Sequence, residues 1–209
     1  KKGSGMPISI PVIDMVEIGA GGGSLAHVDT LNQIRVGPES AGSEPGPACY
    51  GRGGERPAVT DADLLLGKLD ADHFAGGSIR LSSDASAQAL QAHIGKKLDM
   101  DAAESAWGLA EVIDENMANA ARVHAVENGE DLSEYTMIAF GGAAPLHAAR
   151  LCEKLGVDRC FVPTGAGVGS AIGFLRAPFS FEATRSVFMT LSAFDADRVS
   201  ALFAEMKQE

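Results

Sequence analysis

Thr136-Met137-Ile138-Ala139-Phe140-Gly141-Gly142-Ala143-Ala144-Pro145-Leu146-His147-Ala148 reads as a buried strand that passes through a Gly-Gly turn directly into a helix. The helix is expected over Ala144 to Leu155 and ends at Gly156. Arg159-Cys160-Phe161-Val162 is expected to be the next strand, and Gly167 to Leu175 a helix of small residues. Strand, turn, helix, strand, helix is the order of a parallel α/β layer, and a right-handed crossover follows from it. In open sheets of this kind ligands collect at the carboxyl ends of strands, where the Gly141-Gly142 turn is expected. Glycine lets a ligand approach the backbone at a helix N-terminus, where N–H groups point outward. The competing reading is a tight turn whose glycines serve helix–strand packing only.

Upstream, residues 7–18 carry the β-branched run Ile8, Ile10, Val12, Ile13, Val16 and Ile18, and are expected to be strand-like. Gly19-Ala20-Gly21-Gly22-Gly23-Ser24 is a glycine turn, followed by short strands over Leu25–Asp29 and Gln33–Val36. Residues 37–57 hold six glycines and four prolines, a density that predicts a loop without helix or long strand. Helical periodicity then takes over. Thr60 or Asp61 is expected to cap a short helix through Leu64–Leu66, stopped by Gly67. Ser83-Asp84 opens a second helix with Ala87, Leu90 and Ile94 on one face. The longest runs from about Asp101 to Glu127, with Trp107, Ala110, Ile113, Met117, Ala120 and Ala121 as its apolar stripe. Asp195 is expected to cap a last helix whose stripe is Val199, Leu202 and Phe203. That helix meets no stop signal, and the chain begins without Met, so an excerpt of a longer polypeptide is expected.

Charge excludes some functions. The 209 residues carry a net charge of −11, so there is no basic footprint for nucleic acid or an anionic membrane. No apolar run approaches the ~20 residues needed to span a bilayer, and no signal peptide is recognisable. Cys49, Cys152 and Cys160 show neither CxxC nor Cys/His metal spacing, which fits reduced thiols in a cytoplasmic protein.

Chemistry-bearing residues are sparse. His27, His73, His93, His124 and His147 lie apart with no HExxH, so no metal ligand set is named. His147, early in a helix, reads as a packing or capping residue more readily than a catalyst. Asp61 with Asp63, and Asp99 with Asp101, flank helix starts, where the helix dipole accounts for acidic residues. Pro163-Thr164-Gly165-Ala166-Gly167-Val168-Gly169-Ser170 has the glycines of a phosphate loop but matches neither GxGxxG nor GxxxxGK[ST]; close helix packing is its plainer reading. No catalytic residue can be named from chemistry alone.

Three stretches together carry a resemblance: Asp14 to Ser24, Val36 to Gly54 (VGPESAGSEPGPACYGRGG), and Ala139 to Ala148 (AFGGAAPLHA). The sequence resembles the hydantoinase A / 5-oxoprolinase family, which includes subunits of acetone and acetophenone carboxylases, from about Ile10 to Arg185. The resemblance implies an α/β fold that is part of an actin-like (hexokinase/Hsp70-type, RNase H-like) ATPase. Residues 1–185 would be its C-terminal portion and 186–209 the start of a following segment. It implies that Gly141, Gly142 and Ala143 lie against the adenosine of ATP, used with Mg2+. A substrate-side loop would run from Gly21, Gly22, Gly23 and Ser24 to Arg52. The family's two Asp-x-Gly-Gly-Thr-type phosphate turns do not occur here, and by its layout they would precede Lys1, so ATP hydrolysis by these residues alone is not expected. The implied reaction is hydrolysis of a cyclic amide whose carbonyl is activated by phosphorylation. A ketone carboxylase subunit and a non-catalytic nucleotide-binding scaffold are the alternatives. A hydantoinase B-type subunit or domain is the implied partner.

Overall fold

The first regular structure in the computed structural model, which describes residues 13 and 15–208, is the expected hairpin. β1 (Ser24–Val28) pairs antiparallel with β2 (Ile34–Ser40). Asp29 holds the turn, its carboxylate accepting the Leu31 and Gln33 N–H groups at 2.8 and 3.0 Å. β2 runs further into the Gly/Pro segment than expected. A bulge between Ser24 and Ala26 absorbs the extra residues of β2, and among the described residues the other edge of β2 has no strand partner, so Pro38 removes no ladder bond there. The strand expected over 7–18 lies outside the described residues apart from Ile13 and Met15–Ile18, which form none.

The loop that follows is ordered by one carboxylate. Asp61 sits in α1 (Val59–Leu65), which begins one residue ahead of the expected caps. Its buried side chain accepts the N–H groups of Ala48 (3.2 Å), Cys49 (2.7 Å) and Ala58 (2.8 Å) and the Ser86 hydroxyl (2.8 Å). The Ala58 bond caps the helix start. The Ala48 and Cys49 bonds hold a 3-10 turn over Ala48–Tyr50 where the sequence predicted only irregular loop. The dipole reading of Asp61 was therefore incomplete, because most of its partners come from outside the helix.

α2 (Ser83–Leu90) is capped by Ser82, whose hydroxyl accepts the Ala85 N–H at 3.2 Å. It passes through a π turn over Gln91–Gly95 into α3 (Lys96–Leu98). α4 (Ala102–Asn128) starts on a reciprocal box: Asp101 accepts the Glu104 N–H and Glu104 accepts the Asp101 N–H, both at 2.8 Å. Gly129, left-handed at φ 71°, ends it. The expected stripe of α4 holds at Ala110, Ile113 and Met117 and fails at Trp107. Ala106, Leu109, Ala110 and Ile113 face the core, whereas Trp107 is 58% exposed. Spacing alone admits Trp107 on this face, and the packing of the neighbouring helices on Ala106 and Leu109 leaves it outside. Leu109 and Ile113 pack with Val59, Leu90 and Ile94 as the main core; Cys49, Leu64 and Leu81 form a smaller cluster under the loop.

β3 (Met137–Ile138) and β4 (Cys160–Phe161) pair in parallel, with α5 (Ala144–Leu155) between them in sequence. α5 keeps its expected bounds, including its left-handed stop at Gly156. The strands are shorter than predicted because among the described residues each has only the other as a ladder partner. A 3-10 turn over Ala166–Val168 leads into α6 (Gly169–Arg176), so the expected helix splits in two.

The chain divides into a unit ending at Ser170 and a second from Ala171 onward. The second holds the rest of α6, an extended segment and α7 (Ala196–Met206), which Asp195 caps as expected by accepting the Arg198 N–H at 2.9 Å. None of its described residues is buried, so it has no core of its own.

Candidate functional site

Two of the three predicted glycine turns meet at the N-terminus of α1. Thr60 ties the first turn down twice, its N–H and its hydroxyl both donating to the Gly22 carbonyl at 2.8 Å. A Cβ added at Gly22 would stand 2.8 Å from the Thr60 hydroxyl oxygen and 3.9 Å from Ala143 Cβ. The glycine turn and the Gly141–Ala143 turn are therefore neighbours, although more than a hundred residues of sequence separate them.

Within the first turn the candidates divide. Gly22 and Gly23 are needed for packing, since a Cβ at Gly23 would come 2.9 Å from the Ser40 hydroxyl oxygen. Ser24 is buried and serves the turn, its hydroxyl accepting the Gly21 N–H at 3.0 Å and donating to the Gly19 carbonyl at 3.4 Å. Gly21 has open space where a Cβ would be. A cavity of about 330 Å³ adjoins this turn, lined by Gly19, Ala20, Val36, Pro38 and the carboxamides Asn116 and Asn119 of α4. Sequence reasoning missed both asparagines; their spacing of three puts them on one helix face, but nothing local marked that face. Arg52 stands exposed near Tyr50 and joins no ion pair among the described residues.

The second turn is open on its outer side. Neither Gly141 nor Gly142 has any atom within 4 Å of an added Cβ, so packing does not explain either glycine. Gly141 has φ 100°, which requires glycine on backbone grounds. No side chain caps α5 at its N-terminus, where Pro145 has no N–H to offer. The third glycine stretch supports the turn from behind: the Gly141 N–H donates to the Ala166 carbonyl at 2.7 Å, and a Cβ at Gly169 would lie 3.3 Å from Phe140 Cβ. Close packing, the plainer reading of that stretch, describes Gly169.

Behind the turns lies a buried ionic cluster. His147, in the first turns of α5, faces Asp114 of α4 through Nδ1 (2.7 Å) and Asp63 of α1 through Nε2 (3.2 Å). All three side chains are at most 3% exposed. Burial alone would lower the His147 pKa, but the bonds to Asp114 and Asp63 outweigh it and push it up to about 9. Lys68 lies 3.0 Å from the Asp63 Oδ1, an oxygen that otherwise has no hydrogen-bond partner. The expectation that His147 is structural fits its burial; the charged partners were invisible in sequence. Among the described residues no group of three His, Cys, Asp or Glu side chains could hold a metal ion. Among the described residues no helix is long and apolar enough to cross a membrane.

Comparison with known proteins gives the family of the chain. The hydantoinase/oxoprolinase family matches residues 1–183. The caprolactamase subunit alpha of Pseudomonas jessenii is 37% identical over 88% of this chain and 26% of its own length. The acetophenone carboxylase gamma subunit of Aromatoleum aromaticum is 36% identical over 79% and 22%. The crystal structure of ATP-dependent caprolactamase from Pseudomonas jessenii superposes with a TM-score of 0.73 at 40% identity, covering 79% of this chain and 24% of that one. The chain thus spans about a quarter of the length of these relatives. The fold is α/β, part of the actin-like ATPase architecture that the resemblance implied. With the family match covering most of its length and the long Val36–Gly54 block inside it, this chain belongs to the hydantoinase/oxoprolinase family.

Proposed function

We propose that this chain is part of an ATP-dependent cyclic amidase. Residues 1–185 belong to its nucleotide-binding domain, and 186–209 begin a further segment. The observation that carries this reading is the adjacency of two glycine turns whose Gly21, Gly141 and Gly142 face open space rather than protein. Gly141, Gly142 and Ala143 receive the adenosine side of ATP, whose backbone approach a side chain would block. The Gly21–Ser24 turn and its cavity take the substrate, and Arg52 belongs to the same loop system. Asn116 presents one acceptor and two donors, a match for the carbonyl and N–H that a lactam holds on one side of its ring.

The chemistry is phosphoryl transfer followed by hydrolysis. The lactam oxygen takes the γ-phosphoryl group and ADP departs; one water adds to the activated carbon and the C–N bond opens to give a free amine and an acyl phosphate, and a second water hydrolyses that acyl phosphate to carboxylate and phosphate. Positioning and electrostatics supply most of the catalysis in such transfers. When bound, Mg2+ would supply positive charge that offsets the charge of the phosphates. Among the described residues no group of three His, Cys, Asp or Glu side chains forms a site for it. A hydantoinase B-type subunit or domain completes the enzyme, and the cytoplasm is its compartment.

A second reading, a ketone carboxylase subunit, rests on the similarity to the acetophenone carboxylase subunit. The full-length protein with its partner subunit tests both. A lactam, 5-oxoproline or a hydantoin should stimulate ATP consumption under the first reading, and ketone plus bicarbonate under the second. Gly142→Leu should weaken nucleotide binding at least about tenfold with the fold intact, since an added side chain meets no protein atom. Unchanged affinity would remove Gly142 from the site, and a complex that consumes no ATP would leave only the scaffold.

A further inference from the structure

Both ring nitrogens of His147 face carboxylate oxygens, Asp114 Oδ1 at 2.7 Å and Asp63 Oδ2 at 3.2 Å. An ionised carboxylate only accepts, so both nitrogens must carry protons for both contacts to be hydrogen bonds. The geometry therefore calls for the imidazolium. A neutral ring has one N–H and can satisfy one carboxylate only. Asp63 is the more exposed to that loss, because its other oxygen has only the Lys68 ammonium nearby and no hydrogen bond. Loss of a hydrogen bond from a carboxylate buried among three helices is costly even with that ammonium nearby.

The cluster sits where it bears on the two turns. α1 grips the first glycine turn through Thr60 and, one helical turn along, grips α5 through Asp63 and His147. α5 carries the Gly141–Ala143 turn at its start, with Ala143 four residues before His147. Asp114 fixes the same ring to α4. The spacing between the two turns is thus referred to α1, and the His147 bond to Asp63 is the polar tie between α1 and α5.

We propose that His147 is a positioning residue for nucleotide binding: its doubly bonded imidazolium holds the first turns of α5 against α1, and loss of the ring proton releases the Gly141–Ala143 turn and weakens nucleotide affinity. This rests on the reading of that turn as the adenosine site. The charged groups acting on the ring are Asp114 from α4, Asp63 from α1 and Lys68 just beyond α1. The first two hold the proton and the third opposes it.

The test is ADP affinity of the full-length protein with its partner subunit, by calorimetry, from about pH 7 to about pH 10, with circular dichroism at each pH. With His147 titrating near 9, affinity should hold to about pH 8 and fall about tenfold by pH 10. Asp63→Asn removes one of the two carboxylates that retain the proton and should move this midpoint downward by about one pH unit or more. His147→Gln should bind ADP weakly at every pH, without the inflection. A flat wild-type profile overturns the proposal, and so does a midpoint that Asp63→Asn leaves in place. The Asp63→Asn shift keeps the test decisive if His147→Gln fails to fold, because a purely structural histidine would not tie the ADP midpoint to Asp63. Gly142→Leu at neutral pH separates the two readings. Wild-type affinity there refutes the adenosine assignment itself, whereas weakened affinity together with a flat pH profile refutes only the role of His147.

Discussion

Replacing Asp61 with Ala removes the acceptor for three backbone N–H groups and one hydroxyl at once. Ala48, Cys49 and Ser86 are buried at 3% exposure or less and Ala58 fully so, so water cannot simply take the place of the carboxylate. A buried donor left without a partner costs about 1–3 kcal/mol, and breaking a buried charged network costs about 3–5 kcal/mol. Partial collapse of the site and entry of a water would relieve some of this, so about 4 kcal/mol is expected. For a unit of this size that lowers the melting temperature by about 8–16 °C. Asp61→Asn keeps one acceptor oxygen but turns an N–H2 group toward N–H donors, and should cost about half as much. Hydrogen–deuterium exchange of the full-length protein localises the effect: peptides covering residues 41–58 and the start of α2 should lose protection first. An Asp61→Ala protein with the wild-type melting temperature and unchanged exchange over 41–58 would refute the claim that this carboxylate organises the loop.

The same site makes Cys49 inert. Burial, then the charge of Asp61, pushes its thiol well above the usual thiol range, so iodoacetamide should leave Cys49 unmodified at neutral pH in the folded protein. In Asp61→Ala, mass spectrometry should find it alkylated; equal labelling in both proteins would contradict the packing described. Stability should also depend on pH through His147. Its folded pKa is raised from 6.5 to about 9, so the stabilisation is fully present below about pH 6.5 and is lost as pH rises through about 9. The full contribution is on the order of 3 kcal/mol. The stability difference between wild type and His147→Gln should therefore narrow across that window; a constant difference would show that the ring is not charged in the fold.

Much of the local structure was legible because its causes are local. Asp101 and Glu104 specify the start of α4 within four residues, and Gly129 and Gly156 end α4 and α5 by adopting a left-handed backbone that other residues resist. Asp195 caps α7 by the same short-range bond. Errors arose where neighbours decide. Trp107 satisfies the helical period yet points outward, because α1 and α2 pack on the face carrying Leu109 and Ile113. The Gly/Pro density of 37–57 correctly predicted turns, but not that β2 would reach Ser40 or that Asp61 would order a 3-10 turn at Ala48–Tyr50.

The sequence by itself determined the family, the bounds of α5, the starts of α4 and α7, and the positions of the glycine turns. Each of these is written in contiguous residues, since a cap or a turn is settled by groups within about four positions of one another. Tertiary structure alone decided that the Gly21–Ser24 and Gly141–Ala143 turns are neighbours, that Asn116 and Asn119 line the cavity beside one of them, and that Asp63, Asp114 and His147 form one buried cluster. Nothing in the vicinity of His147 in sequence names its partners. A buried charge takes whichever opposite charge the packing of α1, α4 and α5 brings within reach, and that packing is set by apolar faces spread over the whole domain.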